Sequence, residues 1–198
     1  MRSRLLVVAA SLGGGGAERV IVTLLRHLDR ERFELHLALV DASGPYLSQV
    51  PADVCVHDLR ARRARYAFFR IVGTVRRLRP SVVFTTLGYL NLAVLAGRGL
   101  WPRGSRLWVR EANSPSASLS SAPRRRLFGW LYRRFYRRAD GIICGTEEIR
   151  RDLAENFGVP AAKLEVIVNP VDEEAVRLQA DRDGGPGPGG GGGIFRGG

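Results

Sequence analysis

Three short stretches of the chain combine residue types that do chemistry, and each directly follows an apolar run. The first is Gly13-Gly14-Gly15-Gly16, with Ala17 and Glu18 behind it. Glycines can take positive φ and leave backbone N–H groups uncovered, and at a helix N-terminus such groups favour a phosphate or pyrophosphate. The loop is thus a candidate anion cradle or, more plainly, a tight turn that lets a helix pack close on a sheet. It is not a dinucleotide fingerprint, whose glycines are spaced, nor a P-loop, which needs Gly-Lys-Ser/Thr. The second stretch is Arg110-Glu111-Ala112-Asn113-Ser114-Pro115. Glu111 can act as a base or bind sugar hydroxyls, and Asn113 can bond a ligand or cap the turn before Pro115. The third, Asn169-Pro170-Val171-Asp172, is by itself only a turn. Gly145-Thr146-Glu147-Glu148 is explained by helix capping, with Thr146 as the N-cap and carboxylates in the first turn. His27, His36 and His57 fall in a helix and two strands, away from these loops, and bland roles suffice for them.

The elements that must position these residues follow from periodicity. Leu5–Ala10 is a short aliphatic run suited to a strand buried on both faces, and Val20, Leu24, Leu25 and Leu28 recur at helical spacing after the glycines. Further strands are expected at Phe33–Val40, Val54–Leu59, Ser81–Thr86, Arg106–Arg110, Gly141–Cys144 and Leu164–Val168. Helices are expected at Ala64–Leu78, ended by Pro80, and at Leu90–Ala96, Pro123–Arg138 and Thr146–Asn156. Glu111–Ala122 reads as a polar loop. Strands alternating with helices imply an α/β fold, a Rossmann-like parallel sheet with helices on both faces. Ligands of such sheets lie beyond the C-terminal strand ends, so Ser11–Gly16, Thr86–Asn91, Glu111–Pro115, Gly145–Glu147 and Asn169-Pro170 should share one rim. Gly14 and Asn113 on opposite edges of the sheet would contradict that topology.

Charge and cysteines narrow the partners. The formal net charge is +12, almost all from arginine, because Lys163 is the only lysine. Anionic partners are favoured, but no nucleic-acid reader motif is present. Cys55 and Cys144 lie in apolar runs without metal-ligand spacing and read as buried reduced thiols, so no metal site is expected. Arg2 and Arg4 before Leu5–Leu12 resemble a signal peptide, yet glycines and a charged helix stand where a cleavage site belongs. Pro80 to Gly97 is uncharged for 18 residues, but Thr85, Thr86, Gly88 and Asn91 interrupt it, which suits strand, loop and helix better than a membrane span. In Pro123–Arg138, seven arginines have no acidic neighbour, Leu127, Phe128, Leu131, Tyr132 and Phe135 share one arc, and Trp130 falls among the arginines. Such a helix suits an anionic membrane surface, where each basic residue near the surface is worth about 1 kcal/mol; a solvated basic face over a core contact is the plainer reading. From Asp183 onward the glycine-rich composition cannot repay the entropy of ordering and is expected to be disordered.

Taken together, Gly15-Gly16-Ala17-Glu18-Arg19 after the first strand, Glu111-x-Asn113-x-Pro115 after a middle strand, and Val166-Ile167-Val168-Asn169-Pro170-Val171-Asp172 resemble the N-terminal domain of family 4 glycosyltransferases, which pair two Rossmann-like domains in the GT-B fold. The likeness spans roughly Arg2 to Asp172. It implies residues 1–180 as that domain and 181–198 as a Gly/Pro-rich tail, with the C-terminal donor-binding domain absent.

The resemblance implies retaining transfer of a sugar from a nucleotide-sugar, without a metal or other cofactor, in lipid-linked oligosaccharide, capsule or exopolysaccharide synthesis. Gly13, Gly14, Gly15, Gly16 and Glu18 would approach the donor pyrophosphate or the acceptor, and Asn169 would lead toward the donor domain. Glu111 and Asn113 would line the acceptor side as the catalytic candidates. Many relatives carry a histidine after the middle strand, which Glu111-Ala112-Asn113 lacks. The partners implied are the nucleotide-sugar, a polyprenyl-linked or glycan acceptor, and an anionic membrane met by Pro123–Arg138, with no nucleic acid. A cytoplasmic location follows, peripheral on the inner face of the plasma membrane. On this reading the chain is an acceptor-binding half that transfers little sugar alone. The alternative is a non-catalytic or split module that binds a glycan or lipid and needs a separate donor-binding chain.

Overall fold

The computed structural model describes residues 2–61, 64–120 and 123–168. Seven parallel strands form one sheet in the order β3-β2-β1-β4-β5-β6-β7. They are β1 (Ser3–Ala9), β2 (Phe33–Leu39), β3 (Cys55–Asp58), β4 (Val82–Thr86), β5 (Arg106–Glu111), β6 (Gly141–Cys144) and β7 (Leu164–Val166). The helices are α1 (Gly16–His27), α2 (Ala64–Leu78), α3 (Gly88–Gly97), α4 (Pro115–Ser120), α5 (Arg125–Phe135) and α6 (Glu147–Phe157). The register pairs Val7 with Leu37 and with Phe84, so the apolar centres of β1, β2 and β4 lie level. Because every pair is parallel, all C-terminal strand ends meet on one edge, and the loops carrying Gly14 and Asn113 share it. The strand order reverses between β1 and β4, which places a crevice where the connections leaving these two paired strands part to opposite faces of the sheet.

Alternation along the strands builds a core on each face of the sheet. Leu6, Val8, Val83, Leu107, Val109 and Ile142 pack toward α2, α3, α5 and α6. Leu5, Val7, Leu37 and Phe84 pack toward Ile21, Val22 and Leu25 of α1. Burial of side chains of this size stabilises by about 1.5–3 kcal/mol each. The expected elements are present with shifts of one to a few residues at their ends. β7 closes at Val166 instead of Val168, and α3 opens at Gly88 instead of Leu90.

Several expectations need correction. Cys55 is exposed, whereas Cys144 is buried as expected. The reason is position: β3 is the outermost strand beside β2, so its run has no further strand to cover it. The stretch after Glu111 is not wholly loop, since Pro115–Ser120 is helical. Ser114 and Asp152 start that helix: Asp152 accepts hydrogen bonds from the Ser114 hydroxyl and from the Ser116 backbone N–H at 2.9 Å. In α5 the buried positions are Gly129 and Tyr132, followed by Tyr136 in the turn beyond, while Leu127 is exposed. Trp130 stands exposed beside the arginines, as its position in the sequence predicts.

Candidate functional site

The loop after β1 is braced by the segment that follows β2. Leu12 N–H donates to the Ser43 carbonyl at 2.9 Å, and the Tyr46 N–H donates to Leu12 O at 3.3 Å. Gly44, at φ +114°, lies so close to Leu12 that a methyl group there would collide with the Leu12 carbonyl. Gly14 also needs its freedom, at φ +100° against the Pro45 ring. Gly15 is the N-cap of α1 and Gly16 its first residue. All four glycines are exposed, as a ligand-facing loop requires. Glu18 lies in the first turn of α1 and folds back beside the loop: a methyl group on Gly15 would stand 2.6 Å from Glu18 Oε2.

On the same rim, the loops after β4 and β5 enclose a cavity of about 360 Å³. Leu87, Leu92, Leu119, Phe128 and Tyr132 form its apolar walls, and Glu111, Asn113 and Ser118 supply polar groups. Leu87 joins β4 to α3 at φ +86°, a conformation that costs a non-glycine residue about 1–3 kcal/mol and concentrates at functional sites. Gly88 follows, where any side chain would collide with the Tyr132 hydroxyl. The glycine loop does not line this cavity. Tyr89 connects the two: it lines the cavity, and both burial and the nearby Glu18 carboxylate push its hydroxyl up.

Glu111, the last residue of β5, has only 3% of its surface exposed. Asn91 Nδ2 donates to Glu111 Oε1 at 2.9 Å, and the Tyr136 hydroxyl donates to the same oxygen. Burial pushes the carboxyl up to about 7, against the downward pull of the Tyr136 and Asn91 hydrogen bonds and the Arg110 charge. A carboxyl at that value exchanges protons at neutral pH, as a general acid or base must. Arg110 itself bonds Thr86 Oγ1 at 3.4 Å. Asn113 is exposed at the cavity mouth, free to meet a ligand.

Glu111 and Asn113 thus line one cavity, with Gly13–Gly16 and Glu18 on the same rim beyond Tyr89. Asn169 lies outside the described residues. Thr146 caps α6, accepting from Ile149 N–H at 3.3 Å, and the histidines stay away from the rim loops, with His36 Nδ1 and His57 Nε2 3.0 Å apart. Sequence reasoning gave no role to Tyr136 or Asp152, and took Asn91 as the end of a rim segment and an interruption of an apolar stretch without assigning it a partner. A lone asparagine within so apolar a helix was the available signal, and the structure buries it fully.

A family model described as Glycosyltransferase Family 4 matches residues 14–175. The chain is 28% identical over 185 residues to the N-acetylgalactosamine-N,N'-diacetylbacillosaminyl-diphospho-undecaprenol 4-alpha-N-acetylgalactosaminyltransferase of Campylobacter jejuni, covering 87% of this chain and 49% of that protein. It thus spans about half the length of this curated relative. Among solved structures, it resembles the apo form of the lipopolysaccharide outer core galactosyltransferase WaaB, with TM-score 0.63 and 13% identity, over 86% of this chain and 46% of that one. It also resembles Anabaena Alr3699/HepE in complex with UDP and glucose, with TM-score 0.63 and 16% identity, over 92% and 50% of the two chains. At these identities the solved structures establish the fold, a Rossmann-like half of a GT-B architecture.

Proposed function

Since the chain belongs to glycosyltransferase family 4, we propose that it forms the acceptor-binding half of a retaining, nucleotide-sugar-dependent transferase that extends a lipid-linked glycan. The observation that carries this reading is the buried Glu111 carboxyl at the floor of a mostly apolar cavity on the rim, beside the point where the strand order reverses. Apolar walls with a few convergent polar groups suit a sugar ring. In the proposed step the acceptor hydroxyl gives its proton to Glu111 as its oxygen bonds the anomeric carbon of the donor sugar. The bond from that carbon to phosphate breaks, and the nucleoside diphosphate leaves with the electron pair. Asn113 orients the acceptor at the cavity mouth. Gly13–Gly16 approach the pyrophosphate from one side. No metal or other cofactor takes part.

The basic helix extends the proposal to a membrane. Leu127 and Trp130 are 47% and 55% exposed, and Arg125, Arg126, Arg133 and Arg134 surround them. Large apolar side chains among unpaired-sign charges fit the headgroup boundary of an anionic bilayer, where the acceptor's lipid would lie. Among the described residues no helix is long and apolar enough to cross a membrane. The relative from Campylobacter jejuni is named for an undecaprenol-diphosphate-linked acceptor, which supports a lipid-linked substrate.

The test is binding of a water-soluble, short-prenyl diphosphate-linked N-acetylhexosamine to the 198-residue chain, followed by NMR. Saturable shifts at Glu111, Asn113 and Tyr132, weakened about tenfold or more by Asn113→Ala, are expected. Absence of saturable binding, or tighter binding of a nucleotide-sugar than of this acceptor, would overturn the reading.

A further inference from the structure

We propose that Asn91 and Tyr136 are positioning residues that pin one oxygen of Glu111, Oε1, and leave Oε2 as the atom that exchanges a proton with a hydroxyl in the cavity. This rests on the reading of Glu111 as the group that meets the acceptor. Both donors converge on Oε1, and neither can turn away. Asn91 Nδ2 also donates to the Arg110 carbonyl at 2.9 Å, so its amide is tied to the backbone directly beneath the carboxyl. Tyr136 is fully buried and stacks on Tyr132 with ring centroids 4.6 Å apart. Oε2 lies toward Gly88, where a methyl group would stand 3.6 Å from it, in the space shared with the Tyr132 hydroxyl. Gly88 and Tyr132 line the cavity, so Oε2 is the oxygen nearest a bound ligand.

The orientation of Asn91 is itself informative. Its Oδ1 is buried and has no hydrogen-bond partner among the described residues, which costs about 1–3 kcal/mol. Flipping the amide would set Oδ1 against the Arg110 carbonyl and Glu111 Oε1, with the Tyr136 hydroxyl at 3.4 Å as its one nearby donor, and would take the amide donor away from both acceptors. The side chain therefore gives up stability to keep its N–H on Glu111, a pattern expected of a functional site. The titratable neighbours are Arg110 on β5, Tyr132 and Tyr136 on and after α5, Cys144 on β6, and Asp152 on α6 beyond Tyr132. Of these only Arg110 is cationic, and it favours the ionised form of Glu111. The remaining support for that form comes from the two donors on Oε1, against the opposing effect of burial.

The experiment is a pH titration of the 198-residue chain with the glutamate side-chain carboxyl carbons labelled, followed by NMR, with Glu111→Gln to assign the resonance. Tyr136→Phe keeps the ring packing and removes one donor, and should raise the Glu111 midpoint by about one pH unit. In the unsubstituted protein the Asn91 side-chain amide protons should titrate with the same midpoint as Glu111, which needs no variant to fold. An unchanged or lowered midpoint in folded Tyr136→Phe, or Asn91 amide protons indifferent to the Glu111 titration, would overturn the proposal. Loss of acceptor binding with both shifts intact would instead refute the acceptor reading and leave the pinning of Oε1 standing.

Discussion

Replacing Glu111 by glutamine should stabilise the protein at pH 8 and flatten the pH dependence of its stability. The folded carboxyl holds its proton up to about 7, from an ordinary value of 4.5. Between those values the folded state binds more protons than the unfolded state, so stability falls as pH rises. The contribution is complete below the unfolded value and is lost as pH climbs through the folded one. At about 1.4 kcal/mol per pH unit, ionising Glu111 in its buried position costs roughly 3 kcal/mol of stability by pH 8. Glutamine has the same shape: its amide oxygen can accept from Asn91 and Tyr136 as Oε1 does, and it carries no charge to bury. For a domain of this size each kcal/mol moves the midpoint by about 2–4 °C, which predicts a Tm gain on the order of 6–12 °C at pH 8. At pH 5 the two proteins should nearly coincide. Thermal unfolding by circular dichroism from pH 5 to pH 8 measures this directly. A parallel decline of both proteins with pH, or a less stable Glu111→Gln at pH 8, would refute the buried, proton-holding carboxyl on which the proposed chemistry depends.

Gly44→Ala places a methyl group against the Leu12 carbonyl at φ +114°, so it should cost about 2 kcal/mol or more and loosen the glycine loop, seen as a lower Tm and faster amide exchange at Gly13–Gly16. Asp152→Ala removes the acceptor shared by Ser114, Ser116 and Asn156; about 2–3 kcal/mol of stability should go, with increased proteolysis within Pro115–Ser120. Burial opposes ionisation of Asp152, but those hydrogen bonds hold its carboxyl below the ordinary range, so the contribution is present above the ordinary carboxylate value and is lost as acid takes pH down through the lowered one. A urea series below pH 4 should therefore show wild type converging on the alanine variant. Flotation with anionic liposomes tests the basic helix: Trp130→Ala and Arg133→Ala/Arg134→Ala should each lower the bound fraction, by about 1 kcal/mol per arginine removed, and unchanged flotation would remove the membrane from the reading.

The order of the strands and of every helix but α4, the shared rim and the family were legible from the chain alone. Aliphatic runs such as Leu5–Ala10, the helical recurrence of Ile71, Val72 and Val75, and the cap at Thr146 are local patterns, each complete within a few residues. The small motifs around Gly15, Glu111 and Asn169 kept their order and spacing, and that was enough to indicate the family. What the chain could not declare is how deeply each group would be buried and what would face it. Cys55 reads like Cys144 until the topology puts its strand at an edge. Asp152 reads as one more charge on a polar helix until Ser114 and Ser116 arrive from 38 and 36 residues away.

Glu111 shows the division most clearly. Its residue type and its place after a strand marked it as a candidate, but a carboxylate at the end of β5 in water would be ionised and unremarkable in its chemistry. The tertiary structure decided otherwise, by removing the water and bringing Asn91 from 20 residues away and Tyr136 from 25 onto one oxygen. Periodicity and turn chemistry are set by neighbours in the chain, whereas desolvation and convergent hydrogen bonds are set by neighbours in space. The sequence by itself therefore determined which loops share the rim, and only the folded arrangement decided that the Glu111 carboxyl there is buried and holds its proton up to about 7.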